Sequence, residues 1–202
     1  MNPSSDQIEK FKQAVTKSSS NPDFIHHKWF VKYHLEIVEK IANELLEKYP
    51  QANAELVKTL VWLHDYGKTI DFDNQYELTL EKGKEKLLEL GFSQEFTKKT
   101  IEYMAILDKK LELDISKAPL EVQIVSSADG CSHLVGPFMN IWWYENSDKP
   151  FEELMQDNKN KANKDWNYKI VLPEARQAFE KYYQNVLQQS GDWPEIFLNI
   201  QP

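Results

Sequence analysis

The sequence predicts an all-α protein, and three observations support that class. Apolar residues recur at three- and four-residue steps over long segments, which is the period of a helix with one buried face. Glycine occurs only 6 times in 202 residues, which argues against a turn-rich β fold. No segment shows the alternation of apolar and polar residues that indicates a strand. A hydrophobic fraction of 41 % provides enough side chains for the core of one domain.

Residues 1–22 are predicted to form an N-terminal extension and linker. They combine a short amphipathic piece with the segment SSSNP, whose Ser, Asn and Pro residues favour an irregular connection. We expect the core to begin after this linker, so that residues 23–202 form a single helical domain.

The first patterned helix is predicted over residues 29–49. It ends before Pro50, because the residue that precedes a proline is pushed out of helical geometry. Charged residues cover one side of the predicted helix. The other side is an apolar stripe that consists of Phe30, His34, Ile37, Ile41 and Leu45.

A second helix is predicted over residues 53–66, with Asn53 as its N-cap. Gly67 follows it and is expected to take a positive φ where the helix stops. This arrangement delivers the doublet His64–Asp65 at the end of a helix, where the buried core meets the surface.

Later segments are patterned to different degrees. Residues 136–150 are aromatic without a clear period and are predicted as a loop, and residues 151–169 are polar and only weakly patterned. Further helices are predicted over residues 76–90, 93–107, 120–133 and 173–188.

Composition excludes several classes of partner. The net charge of −8 opposes nonspecific binding to nucleic acid or to an anionic membrane surface. The one cysteine, Cys131, cannot form an intrachain disulfide, which fits a reducing compartment. The N-terminus lacks the order of a signal peptide, and no apolar run approaches the ~20 residues that span a bilayer. We therefore expect a cytoplasmic protein.

Four residues carry the functional signal: His34, the doublet His64–Asp65 and Asp129. A histidine on an apolar helix face is more often a core residue than a ligand, and Asp65 alone would fit a solvated turn. Asp129 is different, because a carboxylate at the edge of an apolar stripe needs a partner, and a cation is the simplest one. Two imidazoles and two carboxylates together form a ligand set that suits a first-row divalent ion.

The order and context of these residues resemble the HD-domain superfamily of metal-dependent phosphohydrolases. The resemblance covers roughly residues 24–137. LHDYGK is similar to the family's apolar-His-Asp-x-Gly-Lys element, KYHLEIVEKIA supplies an upstream helical histidine, and SSADG supplies a downstream Ala-Asp. The resemblance implies an HD-domain-like helical bundle with one divalent metal ion (Mn, Co, Ni, Fe or Mg) as cofactor. The implied metal ligands are His34, His64, Asp65 and Asp129.

The resemblance also implies a mechanism in which the ion polarises a phosphoryl oxygen and activates a water that attacks phosphorus. Asp65 would bind the ion and orient that water. Lys68 would meet a phosphate oxygen as a point charge, although a solvated lysine is equally expected beside a helix C-terminus.

The chain departs from the family pattern in two places. It has no histidine from residue 65 to 132, where many relatives carry the histidines of a second metal position, so the sequence predicts a mononuclear site. Near Asp129, Gly130 and Ser132 stand where relatives often carry a basic residue and another acid, which puts the rate of catalysis in question.

The predicted activity is that of a phosphomonoesterase or pyrophosphohydrolase whose substrate is a nucleotide or another small phosphorylated metabolite. Two alternatives stay open: a catalytically degenerate HD module that binds metal or nucleotide for regulation or scaffolding, and a helical interaction protein whose histidines only fill the core. His133 either orients a metal ligand or is a partly buried histidine near a helix end. One aromatic cluster comprises Phe138, Trp142, Trp143 and Tyr144. Three roles stay open for it: the wall of a pocket for a base, a cover for the core, or a homodimer contact.

Overall fold

The computed structural model describes residues 2–198, and every regular element within that range is helical. The all-α prediction is therefore confirmed. Two π-helical turns (Val31–Leu35 and Asp165–Lys169) and two 3₁₀ turns (Tyr66–Thr69 and Ile115–Lys117) join the longer helices. The α-helices of the described residues are α1 (Ser5–Ser19), α2 (Glu36–Lys48), α3 (Ala54–Leu63), α4 (Gln75–Glu89), α5 (Gln94–Asp108), α6 (Leu120–Ser132), α7 (Phe138–Glu145), α8 (Phe151–Lys164) and α9 (Pro173–Gln189).

Helix α1 lies in the segment that was predicted as an extension, and it packs into the core. Ser4 caps it through a reciprocal pair of hydrogen bonds with Gln7, which satisfies two of the free N–H groups at the helix start. Phe11 and Val15 are completely buried. The core thus begins earlier in the chain than predicted, because the amphipathic face of this helix is covered by α3.

Helix α2 continues directly from the π-helical turn that contains His34. A π turn holds one more residue than an α turn, so it rotates the helix that follows. The predicted stripe placed Ile37 on the buried face, whereas the structure buries Val38 fully and Ile37 only in part. The predicted stripe is otherwise confirmed, because Phe30, His34, Ile41 and Leu45 are all buried.

Helix α3 ends at the predicted doublet, with Asn53 as its N-cap as predicted and His64 as its C-cap. Gly67 does not take a positive φ, so that prediction is wrong. It lies in the 3₁₀ turn and is crowded by α4: a Cβ atom there would lie 2.0 Å from the carbonyl oxygen of Gln75 and 2.6 Å from the amide nitrogen of Thr79. The position requires glycine because two backbones meet there.

Helix α6 forms the centre of the molecule and contacts α2, α3, α5 and α9. All residues from Ile124 to Ser132 are buried, so the helix has no solvent-exposed face over that stretch. A small polar side chain of α6 satisfies the backbone of a neighbouring segment: Ser127 Oγ accepts hydrogen bonds from the backbone N–H groups of Val171 and Leu172. Asp129 is thereby placed deep inside the protein on a helix that is held from several sides.

The aromatic loop predicted over residues 136–150 is wrong, because α7 forms there. The weakly patterned region 151–169 is also helical, as α8 and the second π-helical turn. Helix α8 buries only Leu154, Asn158 and Ala162, a stripe one residue wide that includes a polar side chain. Between residues 2 and 198, no helix combines the length and the apolar character needed to cross a membrane.

Candidate metal centre

The structure brings together the four side chains that the sequence singled out. His34 comes from the first π-helical turn, His64 and Asp65 from the end of α3, and Asp129 from α6. The Nε2 atoms of His34 and His64 lie 3.2 Å apart. Asp65 Oδ2 lies 3.4 Å and 3.7 Å from these two nitrogens, and Asp129 Oδ1 lies 3.9 Å and 3.8 Å from them.

Both imidazole rings are held through their other nitrogen. His64 Nδ1 lies 2.6 Å from the carbonyl oxygen of Val61, a group that can only accept a hydrogen bond. His34 Nδ1 lies 3.2 Å from Ser132 Oγ, whose own hydroxyl donates to the carbonyl oxygen of Asp129 at 2.7 Å. Nδ1 is therefore the N–H donor of each ring, and in the neutral tautomer that this fixes, Nε2 presents its lone pair to the same point.

Two facing lone pairs repel each other unless a cation lies between them. Burial lowers the pKa of His64 to about 4, so its ring is neutral near pH 7 and supplies no proton for the 3.2 Å contact. Donor atoms bound at about 2.1 Å to one ion lie roughly 3.0–3.4 Å apart in octahedral or tetrahedral geometry. The separations of 3.2–3.9 Å observed here fit that arrangement after a small contraction.

His133 lies beside this set and extends it. Its ring stacks on that of His34 at a centroid distance of 5.1 Å, and its Nε2 lies 3.5 Å from Asp129 Oδ1. Among the described residues, two groups of side chains have donor atoms close enough to share an ion. One consists of His34, His64 and Asp65, and the other of His34, Asp129 and His133. His133 therefore lies beside the expected ligands, at the C-cap of α6.

The two oxygens of Asp129 face different partners. Oδ1 faces the imidazoles, whereas Oδ2 accepts hydrogen bonds from the ammonium groups of Lys110 at 2.9 Å and Lys169 at 3.0 Å. Burial alone would raise the pKa of Asp129, but the charges of these two lysines outweigh it and hold that pKa well below its usual range. The carboxylate is ionised, with one oxygen left for an ion.

Behind Asp129 lies a buried ion network that the sequence did not reveal. Asp165 is completely buried, and it contacts Lys169 at 2.9 Å, Lys161 at 2.7 Å and His133 Nδ1 at 2.9 Å. Burial opposes ionisation of Asp165, yet the charges of the two lysines hold its pKa far below the usual range. No pattern in the sequence indicated this network, because Lys161, Asp165 and Lys169 lie in a segment without apolar periodicity.

Lys68 and Asp65, predicted as catalytic, form a direct ion pair. Lys68 Nζ lies 2.6 Å from Asp65 Oδ2, the oxygen that also faces the histidines. Burial of Asp65 is again outweighed, chiefly by the charge of Lys68, and its pKa lies well below the usual value. The side chain of Lys68 is about a quarter exposed and lines the cleft.

A cleft of about 220 Å³ opens over these atoms. Asp108 lines this cleft. Its buried Oδ2 has no hydrogen-bond partner among residues 2–198, and burial raises the pKa of Asp108 to about 7. Among the charged residues of the wall, five lysines outnumber three aspartates, in a chain whose net charge is −8. The cleft lysines are Lys68, Lys110, Lys161, Lys164 and Lys169.

The family model described as HD domain matches residues 31–134, just over half of the chain. The chain therefore belongs to the HD domain family, whose members are generally metal-dependent phosphohydrolases. All four expected ligands and His133 lie within the matched residues, whereas Lys161, Asp165 and Lys169 lie outside them. Neither the curated proteins nor the solved structures contain a match to this chain.

Proposed function

We propose that this protein hydrolyses a phosphate ester or anhydride of a small phosphorylated metabolite, with nucleotides as the leading class. One divalent ion (Mn, Co, Ni, Fe or Mg) would be held by His34, His64, Asp65 and Asp129, and two imidazoles favour the transition metals over magnesium. The observation that carries the proposal is the pair of imidazole lone pairs that face each other at 3.2 Å.

The ion would polarise a phosphoryl oxygen and activate a water molecule. Asp65 is placed to hold and orient that water, because its Oδ2 lies at the cleft and is kept ionised by Lys68. Lys68 in turn supplies a positive charge to a phosphate oxygen, with three N–H donors on a mobile stem. Asp129 acts through Oδ1 alone, since Lys110 and Lys169 occupy its other oxygen.

The charge of the cleft supports a phosphorylated substrate. The chain as a whole is acidic, yet five lysines and three aspartates line this cavity, and that excess of positive charge favours an anion there. A cleft of about 220 Å³ has room for a phosphoryl group and a few more atoms, which favours small metabolites over polymers.

Elemental analysis of the purified protein tests the metal centre. We expect one transition-metal ion per chain in the wild type and in the control Asp73→Ala, an exposed loop residue, and no ion in Asp65→Ala. The absence of metal from all three, with no thermal stabilisation by added Mn²⁺ or Ni²⁺, would contradict the proposal.

A screen of phosphorylated metabolites in the presence of Mn²⁺, Co²⁺, Ni²⁺, Fe²⁺ or Mg²⁺ tests turnover. We expect Lys68→Met to lower kcat/KM by about 10²-fold, because it removes a charge that contacts the phosphate, and Lys82→Met on the exposed face of α4 to leave it unchanged. Metal binding without turnover of any compound would favour the regulatory module over the enzyme.

A further inference from the structure

A second cavity of about 340 Å³ adjoins the metal cleft. The two cavities share several lining residues, among them Trp29, Phe138, Lys161 and Lys164, so they are contiguous. The second cavity is walled mainly by apolar and aromatic side chains, with Met139 and Trp142 on the side away from the metal ligands. It lies largely on α7 and α8, beyond the residues that match the HD domain.

Phe138 separates the two cavities. Its ring centroid lies 4.1 Å from that of His133 and 6.2 Å from that of His34 on the metal side. On the other side, it lies 5.8 Å from that of Trp29. The apolar cavity thus begins one aromatic ring away from the metal ligands, so a phosphoester whose phosphate lies at those ligands would extend its organic group toward this cavity.

The wall of this cavity is held in place before any ligand binds. Trp29 Nε1 donates to Glu145 Oε1 at 2.6 Å, and His26 Nδ1 lies 3.0 Å from the other oxygen of the same carboxylate. Trp142 Nε1 donates to Asp157 at 3.3 Å, and Lys149 contacts the same carboxylate at 3.0 Å. Both indoles are therefore held through their N–H groups, and the Lys149 ammonium also lies over the Trp142 ring, 5.5 Å from its centroid.

Asn158 supplies an unused polar group. It lines the cavity, only 6 % of its surface is exposed, and its buried Oδ1 has no hydrogen-bond partner among residues 2–198. A buried amide oxygen without a partner costs about 1–3 kcal/mol, so a ligand N–H group would bind more tightly if the Asn158 side chain turned this oxygen toward the cavity. Aromatic walls and one acceptor together suit a planar heterocycle that carries an N–H donor.

We propose that this cavity binds the base of a nucleoside 5′-monophosphate whose phosphate occupies the metal cleft, an inference that rests on the proposed function. Trp29, Phe138 and Trp142 contact the faces and edges of the base, and Asn158 accepts a hydrogen bond from it. Lys164, exposed at the edge common to both cavities, meets the phosphate at the point where the ribose joins it to the base, whereas Lys161 at the same edge is already paired with Asp165. The cavity then determines which phosphoester the metal centre receives.

Calorimetric titration of the full-length protein separates this proposal from the proposed function, because binding does not require turnover. The probes are the four ribonucleoside 5′-monophosphates, ribose 5-phosphate and inorganic phosphate. We expect at least one nucleotide to bind tenfold or more tightly than ribose 5-phosphate, which corresponds to about 1.4 kcal/mol. Equal affinities for ribose 5-phosphate and all four nucleotides would overturn the proposal, and this comparison needs only the wild type.

Two variants locate the contact. Met139→Trp fills the cavity, and Asn158→Leu removes the acceptor at similar volume, so each should weaken nucleotide binding about tenfold while inorganic phosphate binds as before. Asn140→Trp adds the same ring at the exposed neighbouring position of α7 and should bind like the wild type. Nucleotide binding that is unchanged in folded Met139→Trp and Asn158→Leu contradicts the proposal.

Hydrolysis of the same probes with Mn²⁺ keeps the two proposals distinguishable. Tight nucleotide binding that is lost in Met139→Trp, without hydrolysis of any probe, supports the base site and removes the proposed activity. Equal hydrolysis of ribose 5-phosphate and the nucleotides, with KM unaffected by Met139→Trp, supports the activity and removes the base site.

Discussion

Replacement of Lys169 by methionine removes one charge from the centre of the buried network and keeps most of the side-chain volume. Lys169 Nζ lies 3.0 Å from Asp129 Oδ2 and 2.9 Å from Asp165 Oδ1, and both carboxylates are buried. Loss of one member of a buried ion pair costs about 3–5 kcal/mol. Because Lys110 and Lys161 remain, we expect the lower end, about 3 kcal/mol, or a fall in Tm of roughly 6–12 °C for a chain of this size.

The same network sets the pH dependence of this loss. The pKa of Asp165 lies far below its usual range because the charges of Lys161 and Lys169 outweigh its burial. Such a carboxylate stabilises the folded state fully above its unfolded pKa of about 4, and that contribution is lost as the pH falls further. The difference between wild type and Lys169→Met should therefore be complete at pH 7 and shrink below about pH 4.

Urea unfolding followed by far-UV circular dichroism measures both effects, and Lys164→Met is the matched control. Lys164 is exposed at the edge of the same cleft, so its replacement should change the free energy of unfolding by less than about 0.5 kcal/mol. A loss below 1 kcal/mol for Lys169→Met at pH 7, or a loss that grows as the pH falls, would refute the reasoning.

Three further predictions follow from single contacts. Gly67→Ala should lower the free energy of unfolding by about 2–3 kcal/mol in thermal melts, because its Cβ atom would lie 2.0 Å from a backbone oxygen of α4. Ser132→Ala removes the hydroxyl that holds His34 Nδ1 and should weaken metal affinity about tenfold in equilibrium dialysis. Burial raises the pKa of Asp108 to about 7, so the folded state favours its protonated form and loses stability as the pH rises from about 4 to 7. In urea unfolding with a chelator present, Asp108→Asn should match the wild type at pH 4 and exceed it by at most about 4 kcal/mol above pH 7.

Each of these has a matched control in the chain. Gly83→Ala places its Cβ against Leu63 Cδ1, the end of a side chain that can move, so it should cost less than Gly67→Ala. Ser126→Ala breaks a hydrogen bond to the carbonyl oxygen of Lys169 and should lower stability with metal affinity unchanged. Asp73→Asn changes an exposed carboxylate and should show no pH-dependent gain. Equal effects in a variant and its control would remove the structural explanation.

The helices with broad apolar stripes could be predicted from the sequence, because a wide buried face leaves a clear period. Helices α2, α3 and α6 are of this kind, and they position His34, His64, Asp65 and Asp129. Helix α8 could not be predicted, since its buried stripe is one residue wide and contains Asn158. In α7 the aromatic residues have low helix propensity, and tertiary packing of Phe138 against His133 outweighs it.

The partners of charged residues could not be predicted either. In the sequence, a buried lysine such as Lys169 cannot be distinguished from a surface lysine. Its partners lie 40 residues away at Asp129 and on its own helical turn at Asp165. The sequence identified the residues whose types are unusual for their positions, such as an aspartate on an apolar helix. It did not identify the lysines that neutralise that aspartate.

Both π-helical turns carry residues of the site, His34 in one and Asp165 and Lys169 in the other. An inserted residue rotates the rest of a helix by about 100° without lengthening it appreciably. The first turn opens α2 and the second closes α8, so each extra residue lies at the end of its helix that meets the cleft. Evolution or a protein engineer could therefore alter which side chain faces the cleft by a one-residue insertion or deletion at that end, and leave the hydrophobic contacts along the rest of the helix intact.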